Sequence, residues 1–401
     1  MPPFTRERFR QICHGERLGD FGILGNGFHY FYPETLKAWL DQGASKVLEL
    51  PGPPFGNEMP VEVMRYLGFD ASRILWEVHS GMNGGTAIDS VADATFQDEA
   101  WLVEPPIGPI LVEDGEKDII VINRSGMKEK VLKATPFHSM PMWLEHPVKD
   151  RATWNQFKAR LDPDSPGRYP ADWSTYVEQV NALDCPVGLE VGGFFGFMNM
   201  WVGTESLMYM FYDDPVLIEE MMETMLHLET EIVKRVTKDI SIDFAFYWED
   251  MAYNSGPMIS PAMMRKHMLP RYRQLNQVIR DAGCDIFYLD SDGNVDLLIP
   301  IWLEAGIKLI WPLETAAGMD PVALRRQYGK DIILGGGLNR LAFYDKAALK
   351  NEVMSKVPHL AATGPYFPSP DHTVPPGVPF ENFCYYINLL REIRGDQPLD
   401  F

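Results

Sequence analysis

The chain has 401 residues, 46% of them hydrophobic, which is enough for a large buried core and too ordered in composition for a disordered segment. Its formal net charge of -20 argues against a nucleic-acid groove or an anionic membrane surface as partner, because either would repel it. Four cysteines (Cys13, Cys185, Cys284 and Cys384) form no CxxC pair, so the composition offers neither a zinc ribbon nor a redox dithiol and suits a reducing cytoplasm.

The N-terminal residues lack the apolar run of a signal peptide, and no stretch is long and apolar enough to span a bilayer. Residues 4–18 read as a short amphipathic helix, and Pro33–Leu40 begins another. Residues 20–32 and 46–60 are rich in Gly, Pro and aromatics and read as ordered loops. Residues 98–135 alternate apolar and polar positions around Glu113-Asp114-Gly115 and Arg124-Ser125-Gly126, the pattern of an inserted β-hairpin or small meander. The expected organisation is one domain over 1–401: an N-terminal elaboration and early barrel (1–97), the insertion (98–139) and the main barrel (140–401).

From Trp173 onward the cadence is strand, polar loop, helix. Val187–Val191 runs into Gly192-Gly193-Phe194-Phe195-Gly196, and Ile242–Tyr247 into Trp248-Glu249-Asp250. Cys284–Leu289 runs into Asp290-Ser291-Asp292-Gly293-Asn294, Ile307–Trp311 into Pro312-Leu313-Glu314, and Ile332–Leu334 into Gly335-Gly336-Gly337-Leu338-Asn339-Arg340. Helices are expected over Asp213–Asp239, Ser260–Gly283, Asp320–Tyr328, Asp345–Val357 and Glu381–Arg394. Such repetition predicts an α/β fold, a (β/α)8 TIM barrel, in which the loops at the C-terminal strand ends converge on one site. Its methionine-rich helices (Met221, Met222, Met225) read as core filler.

Several candidate groups then stand out. The D-x-D pair Asp290 and Asp292 can bind a divalent metal, hold a cationic group, or split into acid and base; the bland alternative is an Asx-turn in which Asp292 or Asn294 caps a helix at Val295–Leu303. Glu249 and Asp250, beside Tyr247 and Trp248, suit proton transfer from a partly apolar pocket, or else serve as a cap or salt bridge. His372 lies in a proline-dense loop that presents one side chain reproducibly, as metal ligand, acid–base group or structural hydrogen-bonder. The glycine runs at 192–196 and 335–337 read as close packing or as a phosphate cradle, without the lysine of a P-loop. No G-x-S-x-G elbow supports a serine hydrolase.

Taken together, Gly193-Phe194-Phe195-Gly196, Tyr212-Asp213-Asp214-Pro215, Asp250-Met251-Ala252-Tyr253, the D-x-D-G-N loop, Gly336-Gly337-Leu338-Asn339-Arg340 and Pro368-Ser369-Pro370-Asp371-His372 resemble the uroporphyrinogen decarboxylase superfamily, from about Met140 onward. The resemblance implies a barrel with a deep cleft and one of two activities: cofactor-free decarboxylation of uroporphyrinogen, or metal-dependent methyl transfer involving a corrinoid protein. The decarboxylases carry an arginine-rich N-terminal signature, whereas Phe21–Phe31 here has no arginine, so the chain looks nearer the methyltransferases. Their zinc motif H-x-C-G-N corresponds to Asp290-x-Asp292-Gly293-Asn294. Their late cysteine lies nine residues before the glutamate of a T-P-x-E-N motif, a position that falls on His372 when counted back from Glu381.

The resemblance thus implies a divalent metal, zinc foremost, on Asp290, Asp292 and His372. An O/O/N set is harder than thiolates and also suits Mn, Fe or Mg. Glu249 and Asp250 would be catalytic. Phe194, Phe195, Tyr247, Trp248, Tyr288, Glu314 and Asn339 would line a small-molecule pocket. The expected reaction moves a methyl group from an O- or N-methylated substrate to a corrinoid protein. A uroporphyrinogen-type decarboxylase and a non-catalytic ligand-binding barrel are the alternatives. An exposed aromatic N-terminal segment would suit a homodimer.

Overall fold

The computed structural model describes residues 4–49, 59–76, 78, 102–133 and 141–401. The loop Leu50–Asn57 and the ends of the expected insertion, 98–101 and 134–139, lie outside them. Seven strands form one parallel sheet: β1 (Arg73–Leu75), β6 (Val187–Glu190), β7 (Phe244–Trp248), β10 (Phe287–Asp290), β11 (Leu309–Trp311), β12 (Ile333–Gly335) and β13 (Tyr366–Phe367). Their spatial order is their chain order, as helical crossovers dictate. A closed (β/α)8 barrel needs one strand more; among the described residues the sheet has seven.

The sheet curls. Ile74 of β1 and Phe367 of β13, at its two edges, belong to one apolar cluster with Phe244, Phe246, Tyr288, Leu309, Trp311 and Ile333. The N-terminal helix Arg6–Cys13 enters this interior: Phe9 lies 5.4 Å, ring to ring, from both Phe244 and Phe367. Alternate strand residues (Ala245, Tyr247, Phe287, Leu289, Ile310, Leu334) belong instead to the larger core that includes the helices. This two-residue alternation decides which polar residues at the strand ends face inward.

The expected hairpin is a four-stranded antiparallel sheet: β2 (Ile110–Asp114), β3 (Asp118–Ile122), β4 (Lys128–Leu132) and β5 (Met142–Glu145). Its last strand runs past the expected boundary at 139, and β8 (Ala252–Tyr253) and β9 (Gly256–Pro257) form a separate short antiparallel pair after β7. The expected helix Ser260–Gly283 is two helices, Pro261–His267 and Leu269–Asp281. Pro270 lacks the N–H that a continuous helix would bond back to Lys266, and its ring crowds that carbonyl. Conversely, the helix expected to stop at Val357 runs from Lys346 to Thr363 through Pro358. The long helix is Pro215–Thr237, with Asp214 capping the Leu217 N–H and Pro215 in its first turn. No helix of the described residues is long and apolar enough to cross a membrane.

A candidate metal centre at the strand C-terminal ends

Three adjacent strands, β7, β10 and β11, deliver the acidic residues. Asp290 is the last residue of β10 and, by alternation with the interior Tyr288, points inward. Asp250 lies two residues past β7 with a φ of 40°, a left-handed conformation that Asp tolerates better than most residues. That kink re-aims its carboxylate, whose Oδ1 accepts the Asp292 N–H at 3.1 Å. Gly293, at φ 84°, has no room for a side chain: a Cβ there would lie 2.4 Å from the Ala252 carbonyl oxygen. Its N–H donates to Glu314 Oε2 at 2.9 Å, which ties the β10 loop to the β11 loop.

His372 arrives from the loop after β13. Its Nε2 is 3.3 Å from Asp292 Oδ2. The preceding residue, Asp371, is buried and fixes this loop. It accepts the Thr315 N–H at 2.9 Å and the Arg340 N–H at 3.0 Å, with the Thr315 hydroxyl as a third donor. Five residues therefore converge as two overlapping groups, Asp292–Glu314–His372 and Asp250–Asp290–Asp292. In each group one ligand-capable atom per residue lies within 4.8 Å of the others.

The electrostatics follow from crowding. Burial, then the charge of Asp292, pushes Asp250 up to about 8. Burial, then Asp250, Asp292 and Glu314, holds Asp290 well above the usual carboxylate range. Glu314 is raised by burial and Asp292, against the Gly293 N–H, His372 and Arg340. For His372 burial disfavours the charged ring, but the hydrogen bond and charge of Asp292 outweigh it, and the imidazole is raised above its ordinary value. Like-charged carboxylates in one partly dry site hold protons unless a cation relieves them.

This donor set fits a hard divalent cation better than a soft one, since it holds oxygen and imidazole ligands and no thiolate. His372 Nδ1 accepts the Thr373 N–H at 2.7 Å. The neutral ring therefore carries its proton on Nε2, donated to Asp292, and that proton must leave before Nε2 can ligate.

Not every expected site residue joins the cluster. Glu249 is fully buried on the outer side of the sheet, one residue out of phase with Trp248 and Asp250. Its carboxylate accepts the backbone N–H groups of Phe194 (2.9 Å), Phe195 (2.7 Å) and Gly196 (3.1 Å) and the Tyr272 hydroxyl. Burial still pushes it up to about 7 against those donors. The glycine-rich loop thus cradles a carboxylate of the protein itself, not a phosphate. Gly193 lets it close, since a Cβ there would meet the Trp248 carbonyl oxygen at 1.7 Å.

Phe194, Phe195 and Tyr247 are buried in the outer core and line no inward pocket; Phe194 packs on Tyr272 (5.3 Å), and the Tyr247 hydroxyl donates to Asn276 at 2.6 Å. Tyr288 faces the interior below the cluster, stacked on Phe28 at 4.8 Å. Trp248 is half-buried in register with Asp290, and Trp311 completes the same layer from β11. Asn339 is taken up locally, its Oδ1 accepting the Leu341 N–H at 2.9 Å. The second glycine run is no phosphate cradle either: Gly336 and Gly337 donate to the carbonyls of Phe367 and Pro312. The helix expected to be capped by Asp292 or Asn294 starts only at Ile299, so neither caps it.

Sequence reading missed Asp371 and Thr315, which hold the loops. The signal for Asp371 was its place beside His372 in a proline-fixed loop.

No family model and no curated protein matches the chain. Among solved structures it is similar to a methyltransferase from Methanosarcina mazei, with a TM-score of 0.56 and 13% identity over 98% of each chain. That likeness is one of fold. It agrees at that level with the architecture the motifs led us to expect.

Proposed function

We propose that the chain is a metal-dependent methyltransferase that demethylates a small O- or N-methylated substrate and passes the methyl group to a corrinoid protein. The observation that carries this reading is the convergence of Asp250, Asp290, Asp292, Glu314 and His372 at the C-terminal end of a curled parallel sheet. The fold likeness to a methyltransferase supports it.

Asp292 belongs to both groups and would be the central ligand, with Asp290 and His372 as we expected from the motifs and Asp250 and Glu314 as further donors. A bound divalent ion would act as a Lewis acid toward the methyl-bearing oxygen or nitrogen. The remaining tasks fall to the chain itself. Trp248 and Trp311 flank Asp290 on the adjoining strands, and Tyr30 packs on Trp311 at 5.3 Å, which gives the site an apolar side. His372 carries a proton on Nε2 against Asp292. In the metal-free chain Asp250, raised to about 8, holds a proton at neutral pH, and it would give that proton up on joining the ligands of the cation.

The direct test is methyl transfer to free cob(I)alamin from a panel of methyl ethers and methylamines, followed by the absorbance of methylcobalamin, with the metal removed and restored. Turnover that needs the metal is expected. Methyl transfer unaffected by chelation, or none from any donor with the metal loaded, would contradict the proposal.

A further inference from the structure

Arg340 stands out among the cations of this face. It follows the Gly336-Gly337-Leu338-Asn339 loop, and its backbone is pinned beside His372: Arg340 N–H donates to Asp371 at 3.0 Å, and Leu338 bridges to Pro370. Its side chain is half-buried, yet among the described residues its guanidinium has no hydrogen bond, ion pair or ring contact. Every other arginine that is buried or half-buried in this chain is engaged. Arg6 and Arg394 hold aspartates, Arg271 holds two glutamates, and Arg168 and Arg325 hold backbone carbonyls. Lys356, the neighbouring lysine, is taken up by Glu352 and the Gly337 carbonyl. Arg340's charge reaches both Glu314 and His372 but pairs with neither.

We infer that Arg340 is the anchor for a carboxylate on the substrate. The chemistry is selective. The carboxylates of the cluster would repel an anion, so among the chain's own groups on this face the guanidinium is the favourable seat for a substrate carboxylate. A guanidinium offers a planar fork of N–H donors that matches a carboxylate bidentately, and a half-buried position strengthens the pair over one in bulk water. A single arginine serves one carboxylate, not the many of a porphyrinogen. The substrate class is therefore a small singly carboxylated molecule whose methylated oxygen or nitrogen lies toward Asp250 and Asp292 while its carboxylate lies on Arg340. The orientation of the methyl group rests on the demethylase reading; the carboxylate seat does not.

The test uses matched pairs that differ only in charge: methoxyacetate and methoxyacetamide, N,N-dimethylglycine and its amide, 3-methoxybenzoate and 3-methoxybenzamide. Binding to the full chain is measured calorimetrically for the wild type, Arg340→Gln and Arg340→Lys, with melting temperature and metal content recorded for each. At least one carboxylate is expected to bind roughly 10- to 100-fold tighter than its amide. Arg340→Gln is expected to erase that preference with melting and metal content kept, and Arg340→Lys to restore part of it. The inference is overturned if no carboxylate is preferred to its amide, or if the preference survives Arg340→Gln. A carboxylate preference that depends on Arg340 in a chain without methyl-transfer activity would uphold the anchor and sink the demethylase reading instead.

Discussion

The two ends of the parallel sheet both carry acidic residues, and they treat them in opposite ways. At the N-terminal ends, Asp243 precedes β7 and Asp285 precedes β10. Asp243 receives Arg6 at 2.8 Å, Arg10 at 3.1 Å and the Val187 N–H at 2.8 Å, and Asp285 meets His14 at 3.1 Å. The N-terminal helix and His14 just past its end bring three of those partners, so these acids are paired within the chain. At the C-terminal ends Asp250, Asp290, Asp292 and Glu314 share one imidazole and one nearby arginine. Nothing in the fold of a curled sheet demands this asymmetry. A sealed, paired end suits stability; an end with unrelieved carboxylate charge suits a cationic ligand.

Four experiments probe the difference between the two ends, in order of decreasing effect. Asp292→Asn removes the residue shared by both groups and is expected to lower methyl transfer on the order of 10³-fold, measured as kcat/KM, with little change in melting temperature. Glu249→Ala strands three buried backbone N–H groups and the Tyr272 hydroxyl, and is expected to cost about 3 kcal/mol or more in urea unfolding.

The third concerns pH. Asp250 at about 8 and Glu249 at about 7 bind protons more tightly in the folded chain than in the unfolded one. Their stabilisation is present at low pH and is lost as pH rises from the ordinary carboxylate range through 7 to 8. The metal-free chain should therefore melt lower at pH 8.5 than at pH 6, and a divalent cation should recover the part due to Asp250. Equal melting at both pH values would contradict the buried acidic cluster. The fourth is Arg10→Ala at the paired end. Arg10 is partly exposed and Arg6 still holds Asp243, so a loss of roughly 1 kcal/mol or less is expected, with methyl transfer unchanged.

Much of this contrast was legible in the chain. Apolar runs ending in acids gave the parallel sheet and the face where the site lies. D-x-D could be placed because both aspartates sit at a strand end, where one strand residue fixes the direction of the next. His372 could be placed because prolines restrain its loop. What was not legible is phase. Tyr247, Trp248, Glu249 and Asp250 are consecutive, and sequence alone does not say which two face inward; the structure turns Tyr247 and Glu249 to the outer core. Asp250 rejoins the cluster only through its left-handed backbone, and Glu314 only through the Gly293 N–H. Strand β5 was missed because Met142–Glu145 is short and largely exposed, without the alternation that marks β3 and β4.

Whether the acidic end binds a divalent cation is decided by equilibrating the wild type, Asp292→Asn and Arg10→Ala with zinc or manganese, removing free ion, and measuring metal per chain by elemental analysis. One equivalent in the wild type and in Arg10→Ala, and almost none in Asp292→Asn, is the expected result. A wild type that retains no metal, or an Asp292→Asn chain that retains as much as the wild type, would contradict it.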